Sequence, residues 1–210
     1  MNIALIGSGN MGSILGQHWA KAGHDVVFSS RHPEKLAELV KRTPRARAAT
    51  PEDAARGCEV VFLGVPYAAM PDLARTLAPL LVGKLVLDAG NLIPMRDGAL
   101  AAAVTAAGRG SGVYTASLLP GAHVVKAFNT VYFKTIEAAP QQRSAKVGVP
   151  LAGEDPAQLE TAAQLVRDAG MEPVILPGGL AAAVNLDHGK PVWNSNLPAA
   201  ELRVALGLRP

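Results

Sequence analysis

The first thirty-one residues constrain this chain more than any other stretch. Asn2-Ile3-Ala4-Leu5-Ile6 is a short apolar run that reads as a buried strand. Next come Gly7-Ser8-Gly9-Asn10-Met11-Gly12, and then apolar residues at Met11, Ile14, Leu15, Trp19 and Ala22, on one face of a helix. A strand, a G-x-G-x-x-G turn and a helix together form a dinucleotide-binding arrangement. Gly7 permits the tight turn, Gly9 lets the backbone approach a pyrophosphate, and Gly12 lets helix and strand pack closely. The helix N-terminus offers unpaired N–H groups and a positive dipole end to the phosphates. The glycine spacing alone is a weak signal; its context on both sides strengthens it.

Gly23 sits where a helix-ending glycine belongs, and a second strand, Asp25-Val26-Val27-Phe28, follows it. At the end of this strand an acidic residue would bind the ribose 2′-hydroxyl of NAD. The chain has Ser29-Ser30-Arg31 instead. Hydroxyls and a guanidinium without a carboxylate suit a 2′-phosphate, because arginine grips phosphate as a planar fork. The sequence therefore points to NADP(H) rather than NAD(H). The alternative for Arg31 is a solvated surface turn.

Farther along, the pattern alternates between strands and helices. Pro33 to Val40 reads as a helix and Arg45 to Ala49 as a weak strand. Thr50 is a good N-cap, with Pro51 at the first helical position of a helix that runs to Gly57. Glu59 to Gly64 is a buried strand ending in Val65-Pro66-Tyr67; Met70 to Leu81 is a helix; Lys84 to Asp88 is a strand ending in Ala89-Gly90-Asn91. Ala99 to Ala107 is a helix, and Ala122 to Phe128 a strand closing in Asn129-Thr130, with a helix from Val131 to Ala138. Ala145 to Leu151 and Glu172 to Leu176 are further strands, separated by a helix that starts at Asp155-Pro156 and runs to Gly170. Such alternation implies parallel strands with right-handed crossovers. The expected fold is α/β, a Rossmann-type doubly wound, mostly parallel sheet of about eight strands with a short C-terminal helical tail. Residues 1–176 form the expected nucleotide-binding domain and 177–210 the tail. Ligands lie beyond the carboxyl ends of the strands in such sheets. That rule puts the glycine turn, Ser30-Arg31, Val65-Pro66-Tyr67 and Asn91 on one rim.

Composition bounds the partners. Roughly half the residues are apolar, so a chain of 210 can bury a substantial core. The net charge of +3 is mild, and an anionic cofactor is enough to explain it. The basic run from Arg31 to Arg47 lacks the aromatic stripe that would suggest nucleic acid. The single cysteine, Cys58, rules out an internal disulfide and a cysteine-based zinc site, and no metal is expected. No apolar run approaches the ~18 residues a membrane span requires, and no leader pattern is visible. The expectation is a cytoplasmic chain with no membrane or nucleic-acid partner and a small-molecule redox substrate.

Taken together, GSGNMG, the Ser-Ser-Arg segment, VPYAAM, LDAGN and VVKAFNT resemble the family of coenzyme F420-dependent NADP oxidoreductases and their dinucleotide-binding relatives. That group includes the reductase domain attached to certain membrane metalloreductases. The resemblance covers about residues 1–176. It implies that Gly7, Ser8, Gly9, Asn10, Met11 and Gly12 hold the pyrophosphate, and that Ser30, Arg31 and Lys35 face the 2′-phosphate. It further implies that Val65 and Pro66 flank the nicotinamide-side ribose with Tyr67 beside them, and that Asn91 and Asn129 lie near the nicotinamide. For Asn129-Thr130 a helix N-cap is the competing role.

Several residues keep two readings. Strand alternation puts Val125, Ala127 and Asn129 on one face, and Lys126 and Phe128 on the other. A buried lysine is costly unless paired, so Lys126 either snorkels to the rim or meets a carboxylate; a proton-donor role is the rarer reading. Trp193 either stacks on a flat substrate or fills packing or a dimer interface. His188 is either a general acid or a hydrogen-bonded turn. His18 sits at the core edge, and His123 has no assigned role. The tail, Pro177 to Pro210, departs from the family pattern.

Three functions compete. In the first, hydride passes between NADP(H) and a second redox cofactor such as F420 or a flavin, which requires two rings face to face within about 3–3.5 Å and little acid–base help. In the second, a small imine or carbonyl is reduced, which requires a proton donor such as Lys126, Tyr67 or His188. In the third, the chain senses NADP(H) without turnover. A homodimer is expected in each case.

Overall fold

The computed structural model describes residues 1–143 and 145–209. Six strands form one parallel sheet: β1 (Asn2–Ile6), β2 (Asp25–Ser29), β3 (Ala46–Ala49), β4 (Val60–Leu63), β5 (Leu85–Asp88) and β6 (His123–Lys126). Their order is β3-β2-β1-β4-β5-β6. The order reverses between β1 and β4, and the carboxyl ends of these two strands diverge into the crevice where such sheets bind ligands.

Both faces of the sheet are covered, which is why its strands are nearly continuous apolar runs. Alternate residues feed opposite cores. Ile3, Leu5, Phe62 and Leu87 point into one, where α1 (Asn10–Lys21), α7 (Phe133–Ala138) and α8 (Pro156–Asp168) pack. Ala4, Ile6, Leu63 and Val86 point into the other, against α3 (Pro51–Gly57), α4 (Met70–Leu81) and α5 (Pro94–Ala106). Trp19 of α1 is fully buried and meets Phe62 and Phe128 edge-on, at centroid distances of 5.9 and 6.0 Å. Its indole N–H donates to the Leu165 carbonyl at 2.8 Å, so the polar end of this large ring is satisfied inside the core. His18 beside it is buried, with Nε2 2.9 Å from the Ile136 carbonyl oxygen. No helix among the described residues is long and apolar enough to cross a membrane.

The expected eight-strand sheet divides in two. β7 (Gly148–Leu151) and β8 (Glu172–Ile175) form their own parallel pair. One antiparallel bridge, between Lys126 and Ala152, joins them to β6. β6 ends at Lys126, Phe128 takes a left-handed φ of 64°, and Pro150 in β7 has no N–H to give to a ladder. Phe128 is also where strand alternation fails. The left-handed turn sends its ring into the same core as Val125 and Ala127, not to the Lys126 side.

Three local readings need correction. The helix α6 (Gly110–Leu118) was not expected, because Gly110, Ser111 and Gly112 are poor helix formers. These small residues allow close approach: a Cβ on Gly112 would lie 3.1 Å from Ala183 Cβ. Pro33–Leu36 is a 3-10 turn that passes into α2 (Ala37–Lys41), not one helix. The N-cap of α7 is Tyr132 and has no side-chain cap bond, so Asn129 and Thr130 do not cap it. The tail packs into the second core through a 3-10 helix, Gly179–Leu186, and through α9 (Ala199–Ala205), which closes over Gly148 of β7.

Candidate functional site

The glycine turn leads from β1 into α1. Gly7 has φ of 101°, and a Cβ on it would lie 2.6 Å from the Gly64 carbonyl oxygen. A Cβ on Gly12 would overlap the Gly7 carbonyl oxygen. Both glycines are thus required by contact as well as by pattern. Gly9 is the N-cap of α1 and no side chain caps the helix, so its first amides remain available to an anion. A Cβ on Gly9 would meet nothing within 4 Å, which leaves that face of the turn open.

Beside this turn lies a groove of about 790 Å³, with Gly7, Ser8, Ser30, Arg31, Val65 and Pro66 among its walls. It brings together residues from the ends of β1, β2 and β4. Ser8 Oγ donates to the Ser29 carbonyl at 3.1 Å, and Ser30 Oγ accepts from the His32 amide at 3.0 Å. Arg31 is exposed and makes no ion pair among the described residues. Lys35 is exposed on the 3-10 turn and is not a groove wall. Glu52, at the start of α3, and Asp72, in the first turn of α4, add two carboxylates to the wall.

The far end of the rim is built differently. Asp88 ends β5 and Lys126 ends β6, in register with each other and both buried. Lys126 Nζ donates to Asp88 Oδ2 at 3.0 Å, to Tyr67 Oη at 3.0 Å and to the Gly90 carbonyl at 2.6 Å. Those three bonds account for all its hydrogens. Tyr67 Oη donates to Asp88 Oδ2 at 2.7 Å, Thr115 Oγ1 donates to the same oxygen at 2.8 Å, and the Gly90 amide donates to Asp88 Oδ1 at 2.8 Å. Burial, and then the Asp88 charge, push the Tyr67 phenol well above its ordinary value. Of the two readings for Lys126, the carboxylate partner is the one observed. Tyr67, expected beside the ribose, is fully buried with its hydroxyl turned into this cluster, because Asp88 and Lys126 hold it there.

Above the cluster, Asn91 and Asn129 meet. Asn91 Nδ2 donates to the Asn129 carbonyl at 2.8 Å; Asn129 Nδ2 faces Asn91 Oδ1 at 3.3 Å and donates to the Leu186 carbonyl at 2.8 Å. Two acceptors fix the amide orientation, which leaves Asn129 Oδ1 buried without a partner. Arg96 donates to the Asn91 carbonyl at 2.5 Å and pairs with Asp97, whose carboxylate accepts from the Ile93 and Ala68 amides. Burial alone would raise the Asp97 pKa; Arg96 and those two amides outweigh it and hold the carboxyl below its ordinary value. The tail is tied in by Asp187, which accepts from the Ser111 amide and hydroxyl.

Sequence reasoning missed Asp88, Ser111, Thr115 and Asp187. For Asp88 a signal existed: Leu-Val-Leu-Asp and Val-Val-Lys place opposite charges at the ends of two apolar strands. The others are joined across the fold, with no local pattern to mark them. His188 and Trp193 pack edge-on, with ring centroids 4.4 Å apart.

The sheet order, the glycine turn and the groove define a Rossmann-type dinucleotide-binding protein. Residues 2–92 match the family described as NADP oxidoreductase, coenzyme F420-dependent. Metalloreductase STEAP3 of Rattus norvegicus is 29% identical over 184 residues, 86% of this chain and 34% of that protein. The chain thus spans about a third of that relative's length. A hypothetical protein from Sinorhizobium meliloti superposes with a TM-score of 0.81 at 30% identity, over 94% of this chain and 95% of that one. A protein from Arthrobacter sp. FB24, described as a candidate F420-dependent NADP reductase, has the same fold, with a TM-score of 0.74 at 23% identity over 99% and 96%.

Proposed function

We propose that this chain is an NADP(H)-dependent oxidoreductase that exchanges hydride with a planar redox ring such as coenzyme F420 or a flavin. The groove and the glycine turn fit a dinucleotide: two glycines sit where any side chain would collide with backbone, and Ser30 and Arg31 offer a hydroxyl and an unpaired guanidinium at the 2′-phosphate end. At the other end, the unpartnered Asn129 Oδ1 suits an N–H donor such as a carboxamide. Bound along this rim, NADPH supplies a hydride from its nicotinamide ring. The protein's part is to bind, orient and exclude water: amides at the start of α1 hold phosphate, Arg31 holds the 2′-phosphate, and Asn91 and Asn129 orient the reactive ring.

The observation that carries the choice of acceptor is the condition of Lys126 and Tyr67. Both are fully buried, and the lysine's hydrogens are all engaged by protein acceptors. An imine or carbonyl reductase requires a proton donor that reaches substrate; neither of these groups does, and the third candidate, His188, packs edge-on against Trp193. Reduction of F420 or a flavin also takes up one proton, but at a ring nitrogen that solvent can supply, so no buried donor is required.

The test is NADPH oxidation by the purified protein with F420, FMN, FAD, a ferric chelate and a small cyclic imine as separate acceptors. The proposal expects turnover with F420 or a flavin and none with the imine. Turnover with the imine alone would establish the reductase reading, and tight NADPH binding without turnover would establish a sensor.

A further inference from the structure

The tail segment between Asp187 and Asn196 is fastened to the nicotinamide end of the rim at both ends. At its start, Asn129 holds the Leu186 carbonyl and Ser111 holds the Asp187 carboxylate. At its end, the Tyr132 amide donates to Asn196 Oδ1 at 2.9 Å. Asn129 and Tyr132 both belong to the loop after β6, so the segment borders the carboxyl end of the sheet beside Asn91. Successive turn bonds, Lys190 N–H to Asp187 and Trp193 N–H to Lys190, keep it compact. Asn194 and Asn196 take left-handed φ values of 56° and 51° to close it. Its half-buried Trp193 ring packs edge-on against His188.

The neighbouring loops carry two exposed apolar side chains. Tyr132, after β6, is 42% exposed, and Met95, at the start of α5 just beyond Asn91, is fully exposed. We propose that Trp193, with Tyr132 and Met95, forms the wall on which the planar ring of the hydride acceptor rests, and that this segment sets acceptor choice. A tryptophan braced edge-on by His188 offers a flat indole face, which a small imine or carbonyl would not cover. The inference rests on the ring-acceptor reading above.

Equilibrium dialysis of F420 and of FMN against the wild-type protein with NADP⁺ present, and against Trp193→Ala and Trp193→Phe, tests it. Exposed Val204 on α9 supplies a control, Val204→Ala. Loss of one aromatic stacking partner is expected to weaken ring binding about tenfold in Trp193→Ala. Trp193→Phe restores most of it, and NADPH affinity changes less than about twofold, since the groove that binds it is elsewhere. Ring affinity that is unchanged in Trp193→Ala overturns the inference while leaving the ring-acceptor reading intact, as does Trp193→Ala converting a dimer to monomers in sedimentation without altering ring binding. A parallel loss of NADPH and ring affinity also overturns it. A wild-type protein that binds NADPH but neither ring overturns both.

Discussion

At the glycine-turn end of the rim, the groove is walled by residues at the ends of β1, β2 and β4, many of them glycine, serine or exposed: Gly7, Ser8, Ser30, Arg31. At the far end, Tyr67, Asp88, Thr115 and Lys126 are buried and joined across 21 to 59 residues of chain. The first end is a mould, in which backbone shape decides what fits and few side chains interact. The second is a network, in which each polar group depends on another. A mould fails locally when its shape changes; a network fails as a whole when one member is removed.

The largest expected effect therefore lies in the network. Lys126→Met leaves Asp88 charged and buried, and should cost about 3–5 kcal/mol of unfolding free energy in urea denaturation. Adding Asp88→Asn should recover more than half of that loss. A double variant whose loss equals the sum of the two singles would show that the pair is not coupled. In the mould, Gly12→Ala forces α1 away from the Gly7 carbonyl, and should cost about 3 kcal/mol of stability together with NADPH binding. Calorimetry with and without NADPH checks both, and unimpaired binding would remove Gly12 from the site. Arg31→Ala is narrower: loss of a charge-assisted contact worth about 1.5–3 kcal/mol should weaken NADPH by roughly one to two orders of magnitude and NADH hardly at all. Equal loss for both would refute the 2′-phosphate assignment.

The smallest effect concerns pH. Burial, only partly offset by the Ile136 carbonyl, lowers the His18 pKa. Below about 6.5 the unfolded chain then holds more protons on this ring than the folded one does. Stability should fall as pH drops through that window and level off below the lowered folded value. His18→Gln, which keeps an N–H for Ile136, should flatten the slope in urea midpoints measured from pH 7.5 to 5. An unchanged slope would mean that His18 is not its source.

The same division governs what could be read in advance. The glycine turn, the absence of an acid after β2 and the strand–helix rhythm are local signals, and they led to the sheet, its rim and the groove. What escaped was non-local or contrary to propensity. Helix α6 forms from Gly110-Ser111-Gly112 because the tail packs on it, and no residue nearby announces that contact. Strand alternation misassigned Phe128 because one left-handed residue shifts the count of faces. The resemblance puts Tyr67 beside the ribose with Val65 and Pro66, which line the groove, yet Asp88 and Lys126 draw its hydroxyl inward. Proximity in sequence to a site is a different matter from facing it.

The helix that follows the glycine turn has one more consequence. Its buried donors bond carbonyls of Ile136 and Leu165, well outside the portion that matches the family. The portion that matches the family and the unit of folding therefore have different boundaries here. A chain cut after residue 92 would carry the whole fingerprint while leaving the indole N–H of Trp19 without its carbonyl and one face of β1 and β4 without α8 over it. Such a fragment should be unfolded, and a domain swap at that point should fail unless α7 and α8 travel with it.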